Sequence, residues 1–226
     1  MITGAEAIVR CLENEGVEIV FGYPGATIAP FYDKLSKSTS IKHILARHEQ
    51  HAGHEASGYA RIKKRPGVCI TTSGPGATNL ITALATAYMD SVPLVAFTGQ
   101  VNSELLGRDV FQEADITGAA EPFTKYSYLV KNAEDIPRII KEAFHIASTG
   151  RPGPVLIDVP VNVQNHKFDF ALPGPVCLRG YKPTIMGHAG QIKRVCKAVG
   201  NAERPVICVG GGIFAADGQE ELKRFA

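Results

Sequence analysis

Short apolar runs recur along this 226-residue chain, each separated from the next by helix-patterned sequence. Ile19–Phe21, Val68–Thr72, Pro93–Thr98 and Val155–Val159 carry almost no polar alternation. A strand without alternation has no wet face, so both of its faces must be covered. Between the runs, Ala5, Ile8, Val9 and Leu12 recur at helical spacing, and Gly16 stops that helix. Thr3 with Glu6 is a capping box at its start. Further helices are expected through Phe31, Tyr32 and Leu35, over Glu49–Lys63, Ala77–Met89 and Ile136–Ala147. Strands are expected at Ile41–Leu45 and Tyr126–Val130, and Asn102–Asp115 reads as loop. This order predicts an α/β fold, a parallel sheet with helices on both faces and right-handed crossovers.

The pattern changes near Val159–Val163, where a first domain, residues 1–165, is expected to close. Residues 166–186 read as a linker, with Pro173, Gly174, Pro175, Gly180 and Pro183 and little periodicity. Residues 187–226 offer a helix over Ala189–Val199, a strand at Pro205–Val209, then Gly210-Gly211-Gly212 and a helical start near Gln219. One strand cannot build a sheet. This stretch is therefore expected to be the start of a second α/β domain, and the chain the N-terminal portion of a longer protein.

Charge excludes some functions. The 24 Lys and Arg and 22 Asp and Glu are intermixed, giving a net charge of +2 with no basic run, which argues against nucleic acid. No apolar run is long enough for a membrane span. The five cysteines, Cys11, Cys69, Cys177, Cys196 and Cys208, are odd in number, scattered and without C-x-x-C. That pattern points to a reducing, cytoplasmic setting rather than a disulfide framework or zinc site.

The stretches with chemical potential sit where strands give way to helices, the edge at which open parallel sheets bind ligands. Arg47-His48-Glu49 opens a helix rich in Ala52, Gly53, Ala56, Ser57, Gly58 and Ala60. Glu49 there has a bland reading, a carboxylate favoured by the helix dipole. It also has a functional one, a carboxyl facing a closed apolar pocket and able to share a proton. His48, His51 and Glu55 share one helical face, but neither H-E-x-x-H nor its inverse occurs, so a metal hydrolase is disfavoured. Thr72-Ser73-Gly74-Pro75-Gly76 brings backbone close to a ligand, yet Asn79 stands where a dinucleotide fingerprint needs glycine. A nicotinamide or flavin oxidoreductase would also need an acidic residue at the end of the second strand, and Ile41–Leu45 has none. Tyr23-Pro24-Gly25 is a rigid turn, and Gly107–Glu113 is a polar loop retaining Val110 and Phe111. Arg151, after a helix stop at Gly150, suits an anionic ligand or the helix's last carbonyls. A non-catalytic binding or assembly module remains an alternative on these residues alone.

Taken in order, Y-P-G, R-H-E-Q-x-A-G-H-x-A-x-G-Y-A-R, T-S-G-P-G-A-T-N, P-L-V-x-x-T-G-Q, F-Q-E and G-R-P-G-P-V-x-I-D-V-P form a specific series. The series resembles the pyrimidine-binding domain of thiamine-diphosphate enzymes, and is most similar to acetolactate (acetohydroxyacid) synthase large subunits. The tail V-x-V-G-G-G resembles the start of that family's middle domain. The resemblance implies condensation of two 2-ketoacids, pyruvate with pyruvate or 2-ketobutyrate, with loss of CO2, in branched-chain amino-acid biosynthesis. Another thiamine-diphosphate decarboxylase, carboligase or oxidase acting on a 2-ketoacid is the alternative. By motif, Glu49 would hydrogen-bond a ring nitrogen of the aminopyrimidine and favour the imino tautomer that removes the C2 proton. Tyr23, Pro24, Gly25, Thr72 and Asn79 would line the cofactor, and Phe111 and Gln112 would meet the substrate, Gln112 as a catalytic residue. Arg151, Gly210, Gly211 and Gly212 match positions that contact FAD.

The family holds the diphosphate and Mg2+ with a G-D-G and a later Asn, ligands suited to a hard cation. No G-D-G occurs here, so the metal would be held outside this chain, and the chain alone would be inactive. The resemblance further implies a homo-oligomer with its active site at a dimer interface, and makes a small regulatory subunit a candidate partner. Leu106, Arg108, Val110, His51 and Val161-Asn162 depart from the usual pattern. These changes bear on substrate preference rather than on cofactor use.

Overall fold

A computed structural model describes residues 1–226, which divide into two compact units, Met1–Lys182 and Pro183–Ala226. The first opens with β1 (Ile2–Thr3), α1 (Gly4–Asn14), β2 (Ile19–Gly22), α2 (Ala29–Leu35), β3 (Lys42–Leu45) and α3 (Glu49–Lys63). It continues with β4 (Gly67–Thr71), α4 (Pro75–Thr78), α5 (Ile81–Met89), β5 (Leu94–Gln100), α6 (Ile116–Ala120) and β6 (Tyr126–Leu129). It closes with α7 (Ile136–Ser148), β7 (Pro154–Pro160), α8 (Val161–Asn165) and β8 (Lys167–Phe168).

Six strands form one sheet in the order β3-β2-β4-β5-β7-β6, every pair parallel. The fully apolar runs become its interior: β4, β5 and β7 are buried along their whole length. The edge strands β3 and β6 are only partly covered, as expected where one flank has no neighbour. Two apolar cores follow, one on each face. Ile8, Leu12, Phe31, Ile136, Ile140 and Phe144 pack with Val68, Phe97 and Ile157 on the first. Ala52, Ala56, Leu80 and Leu84 pack with Cys69, Ala96 and Leu156 on the second. The small residues of α3 let that helix lie close: a Cβ on Gly53 would come within 2.5 Å of the Ala83 Cβ on α5.

Local expectations hold with some corrections. The Thr3 hydroxyl accepts from the Glu6 N–H at 3.2 Å. The reciprocal arm of the capping box is absent, because the Glu6 carboxylate pairs with Arg10 one turn on, at 2.7 Å. Gly16 stops α1 at φ 71°. The helix expected over Ala77–Met89 is two pieces, α4 and α5, separated at Asn79-Leu80. Lys167–Phe168, counted with the linker by its surroundings, pairs antiparallel with Ile2–Thr3 and so ties the start of the chain to the end of α8.

The second unit holds α9 (Ala189–Gly200), α10 (Gly212–Ala215) and α11 (Gln219–Phe225). The strand expected at Pro205–Val209 does not form. A strand is defined by ladder partners, and this unit offers none. No helix of the chain is long and apolar enough to cross a membrane.

Phe97 lies at the centre of the sheet and is 1% exposed. Phe97→Ala should lower unfolding free energy by about 3–5 kcal/mol, read from urea denaturation. A loss below about 1 kcal/mol would mean that the sheet is not the packed core described.

Candidate active site

Strand order reverses at β2: β3 lies on one side of it and β4 on the other. The helices after β2 and β4 leave to opposite faces, which opens a crevice at the carboxyl ends of these strands. Tyr23-Pro24-Gly25 leaves β2 and Thr72–Gly76 leaves β4 at this point.

Glu49 is the first residue of α3, whose N-cap is His48: the imidazole Nδ1 accepts from the Gln50 N–H at 3.1 Å. The Glu49 side chain is 8% exposed. Its Oε2 accepts from the Asn79 amide at 2.9 Å. Its Oε1 has no protein donor and faces the turn after β4, where a Cβ on Gly76 would lie 3.2 Å away. Only glycine fits here, since the same Cβ would also strike the Thr72 methyl at 2.6 Å. Gly25 meets Thr72 from the other side, with an added Cβ 2.4 Å from the Thr72 Cβ. The Thr72 hydroxyl shares a hydrogen bond with Thr27 at 2.9 Å, and Thr27 also accepts from the Ser73 N–H. The structure thus gathers Gly25, Thr72, Asn79 and Glu49. Tyr23 stands at the rim, 38% exposed.

Other sequence-selected residues lie elsewhere or on the margin. Phe111 is 89% exposed, while the Gln112 backbone rests against Gly74 of the β4 turn. Arg151 holds the end of α5, its Nε donating to the Ser91 hydroxyl at 2.7 Å and its Nη2 to the Met89 carbonyl at 3.0 Å. Gly210, Gly211 and Gly212 belong to the second unit, where α10 begins at Gly212. His48 is committed to its cap, and no group of three His, Cys, Asp or Glu side chains converges as a metal site would require.

Sequence reasoning gave no role to Asp158 or Gln100 at this edge, and read Asn162 only as a departure from the family pattern. Asp158 sits inside β7, 1% exposed, accepting from the Thr98 hydroxyl at 2.6 Å and the Gln100 amide at 2.9 Å. The same Gln100 amide donates to the Ala114 carbonyl, and Asn162 accepts from the Ser103 N–H at 3.0 Å. The signal for Asp158 was present: it is the one charged residue in Pro-Val-Leu-Ile-Asp-Val-Pro. Ser73, quoted only as part of a motif, is fully buried with an unpartnered hydroxyl. Such an atom costs about 1–3 kcal/mol unless something else satisfies it.

The sequence profile described as "Thiamine pyrophosphate enzyme, N-terminal TPP binding domain" matches residues 2–119. The chain belongs to the thiamine pyrophosphate enzyme family. It is 56% identical over 225 residues to the acetolactate synthase large subunit of Corynebacterium glutamicum, a match covering 100% of this chain and 36% of that protein. It is 51% identical over 227 residues to the acetolactate synthase large subunit of Haemophilus influenzae, covering 100% of this chain and 40% of that protein. The acetolactate synthase of Mycobacterium bovis is 50% identical over 225 residues, with 100% and 36% covered. The chain therefore spans 36–40% of the length of these relatives. The crevice fits a thiamine heterocycle: a buried carboxyl with one unengaged oxygen suits a ring nitrogen, and Gly25 and Gly76 leave no Cβ in the way.

Burial raises the Asp158 carboxyl from 3.8 to about 7, against the Thr98 and Gln100 hydrogen bonds, which favour its charge. The folded state thus binds more proton than the unfolded chain between those values. Asp158 stabilises the fold fully below pH 3.8, and that contribution is lost as pH rises through about 7. The limiting slope is about 1.4 kcal/mol per pH unit. Asp158→Asn should flatten this part of the stability profile in denaturant melts. An unchanged slope would mean that Asp158 ionises normally in the fold.

Proposed function

We propose that this chain is the pyrimidine-binding part of an acetolactate synthase large subunit. The complete enzyme condenses two 2-ketoacids, pyruvate with pyruvate or 2-ketobutyrate, with loss of CO2, in branched-chain amino-acid biosynthesis. One observation carries the reading: the buried Glu49 carboxyl, held by Asn79 on one oxygen and open on the other. Relatives 50–56% identical over the whole chain and bearing that enzyme's name support the reaction class.

When bound, thiamine diphosphate supplies a carbon nucleophile that adds to a ketone and accepts the electron pair left by decarboxylation. The protein's part is proton handling and positioning. Glu49 would hold and exchange a proton at Oε1, toward a ring nitrogen of the bound cofactor. Asn79 fixes Oε2 and so leaves only Oε1 for that exchange. Thr72, braced by Thr27 and packed against Gly25 and Gly76, would line the ring's site, with Tyr23 and Pro24 at the rim. Phe111 and Gln112 face the substrate from the loop after β5, and Gln112 donates or accepts at the reacting groups.

Residues 1–165 are the pyrimidine-binding domain in this reading, 166–186 a linker and 187–226 the start of the middle domain. Arg151 in the first unit, and separately Gly210-Gly211-Gly212 in the second, match motif positions that contact FAD in this reading. Arg151 would reach it with what its contacts to the end of α5 leave over. Mg2+ is held by residues outside this chain. The enzyme is a homo-oligomer whose subunits share each active site, and it is cytoplasmic, a setting that suits five free cysteines. The words "large subunit" in the relatives' names support a small regulatory partner.

The test supplies the complete enzyme with pyruvate, thiamine diphosphate and Mg2+, with and without FAD, and measures acetolactate. Glu49→Gln should keep the hydrogen bond but lower kcat by roughly 10^2–10^4-fold. A wild-type rate in Glu49→Gln would remove Glu49 from the mechanism. If neither protein makes acetolactate with cofactor bound, the reaction is another one on a 2-ketoacid.

A further inference from the structure

The segment between β5 and α6 contains three left-handed residues within six positions: Gly107 at φ 75°, Asp109 at 52° and Gln112 at 59°. Two of these carry side chains, for which this conformation is unfavourable. The Glu113 side chain offsets the strain. Its Oε1 accepts from the Gly107 N–H and its Oε2 from the Val110 N–H at 3.2 Å, while its own N–H donates to the Val110 carbonyl at 3.0 Å. The Arg108 N–H donates to the Leu105 carbonyl at 3.2 Å instead. Backbone hydrogen bonds, that of Gly107 foremost, hold the Glu113 carboxyl below the usual range. Residues 107–113 are thereby closed on themselves by one carboxylate.

The closed segment abuts the crevice. A Cβ on Gly74 would lie 2.7 Å from the Gln112 carbonyl oxygen and 2.9 Å from its Cα. Gly76, two residues on in the same turn, borders the Glu49 carboxylate. We propose that Glu113 is a positioning residue: by accepting from the amides of Gly107 and Val110 it fixes Gln112 against Gly74 and sets where Phe111 and Gln112 meet the substrate. The proposal rests on the site reading above. Glutamine at this position keeps the size but turns one acceptor oxygen into a donor that opposes the loop amides.

The test compares wild type and Glu113→Gln in the complete enzyme. It measures deuterium uptake at residues 107–110, kcat and KM for pyruvate, the half-saturating thiamine diphosphate concentration and Tm. Uptake should rise and kcat/KM should fall by about tenfold or more, with cofactor half-saturation and Tm unchanged. Unchanged uptake, or unchanged kcat/KM with raised uptake, overturns the proposal. So does a loss in kcat/KM that tracks lowered Tm and weakened cofactor binding, which is a structural defect. Gly107→Ala strains the same closure in open space. Its loss combined with that of Glu113→Gln should be less than multiplicative, since both undo one closure; a multiplicative loss overturns the proposal. Wild type that makes no acetolactate would defeat the acetolactate synthase reading on its own. The uptake comparison would still decide whether Glu113 holds the loop.

Discussion

The pairing of β2 between β3 and β4 governs the rest of the site. Because the chain goes first to one side of β2 and then to the other, α2 joins one core and α3 to α5 the other. No helix can then fill the gap between the carboxyl ends of β2 and β4. Two turns and the N-terminus of α3 meet there instead. Their approach is closer than any Cβ would allow at Gly25 and Gly76. Those two positions let Thr72 wedge between the turns and bring the Glu49 carboxyl against the second of them. The carboxyl's orientation is thus a product of sheet topology, with Asn79 as its only fixed partner.

The central strands were legible because burial on both faces removes polar alternation, a signal each strand carries within itself. The sequence places Glu49 at a helix start just after a strand, and the structure adds what that local pattern could not contain, the Asn79 contact 30 residues away. Long separation explains the misses as well. Asp158 finds Thr98 across 60 residues, and Asn162 finds Ser103 across 59. Each is an ordinary polar residue until the sheet is assembled. The β1–β8 pair joins residues near opposite ends of the first unit and is too short to show periodicity. The strand expected at Pro205–Val209 failed for the converse reason: its apolar composition is local, but a ladder is not. The break between α4 and α5 has no Gly or Pro at Asn79-Leu80 to mark it.

The long connection after β5 illustrates how these polar residues divide their work. Loops of this length without regular structure are usually mobile or functional, and this one has little apolar packing: Phe111 is 89% exposed. It is held by hydrogen bonds instead. Asn162 fastens its start at Ser103, and Gln100 fastens its end at Ala114 while bonding Asp158. Glu113 closes the span between. Both outer anchors come from the sheet or from α8 directly after β7, so the loop's ends inherit the rigidity of the core. An apolar clamp would have needed Phe111 to turn inward. A polar clamp defines the backbone and leaves the ring exposed.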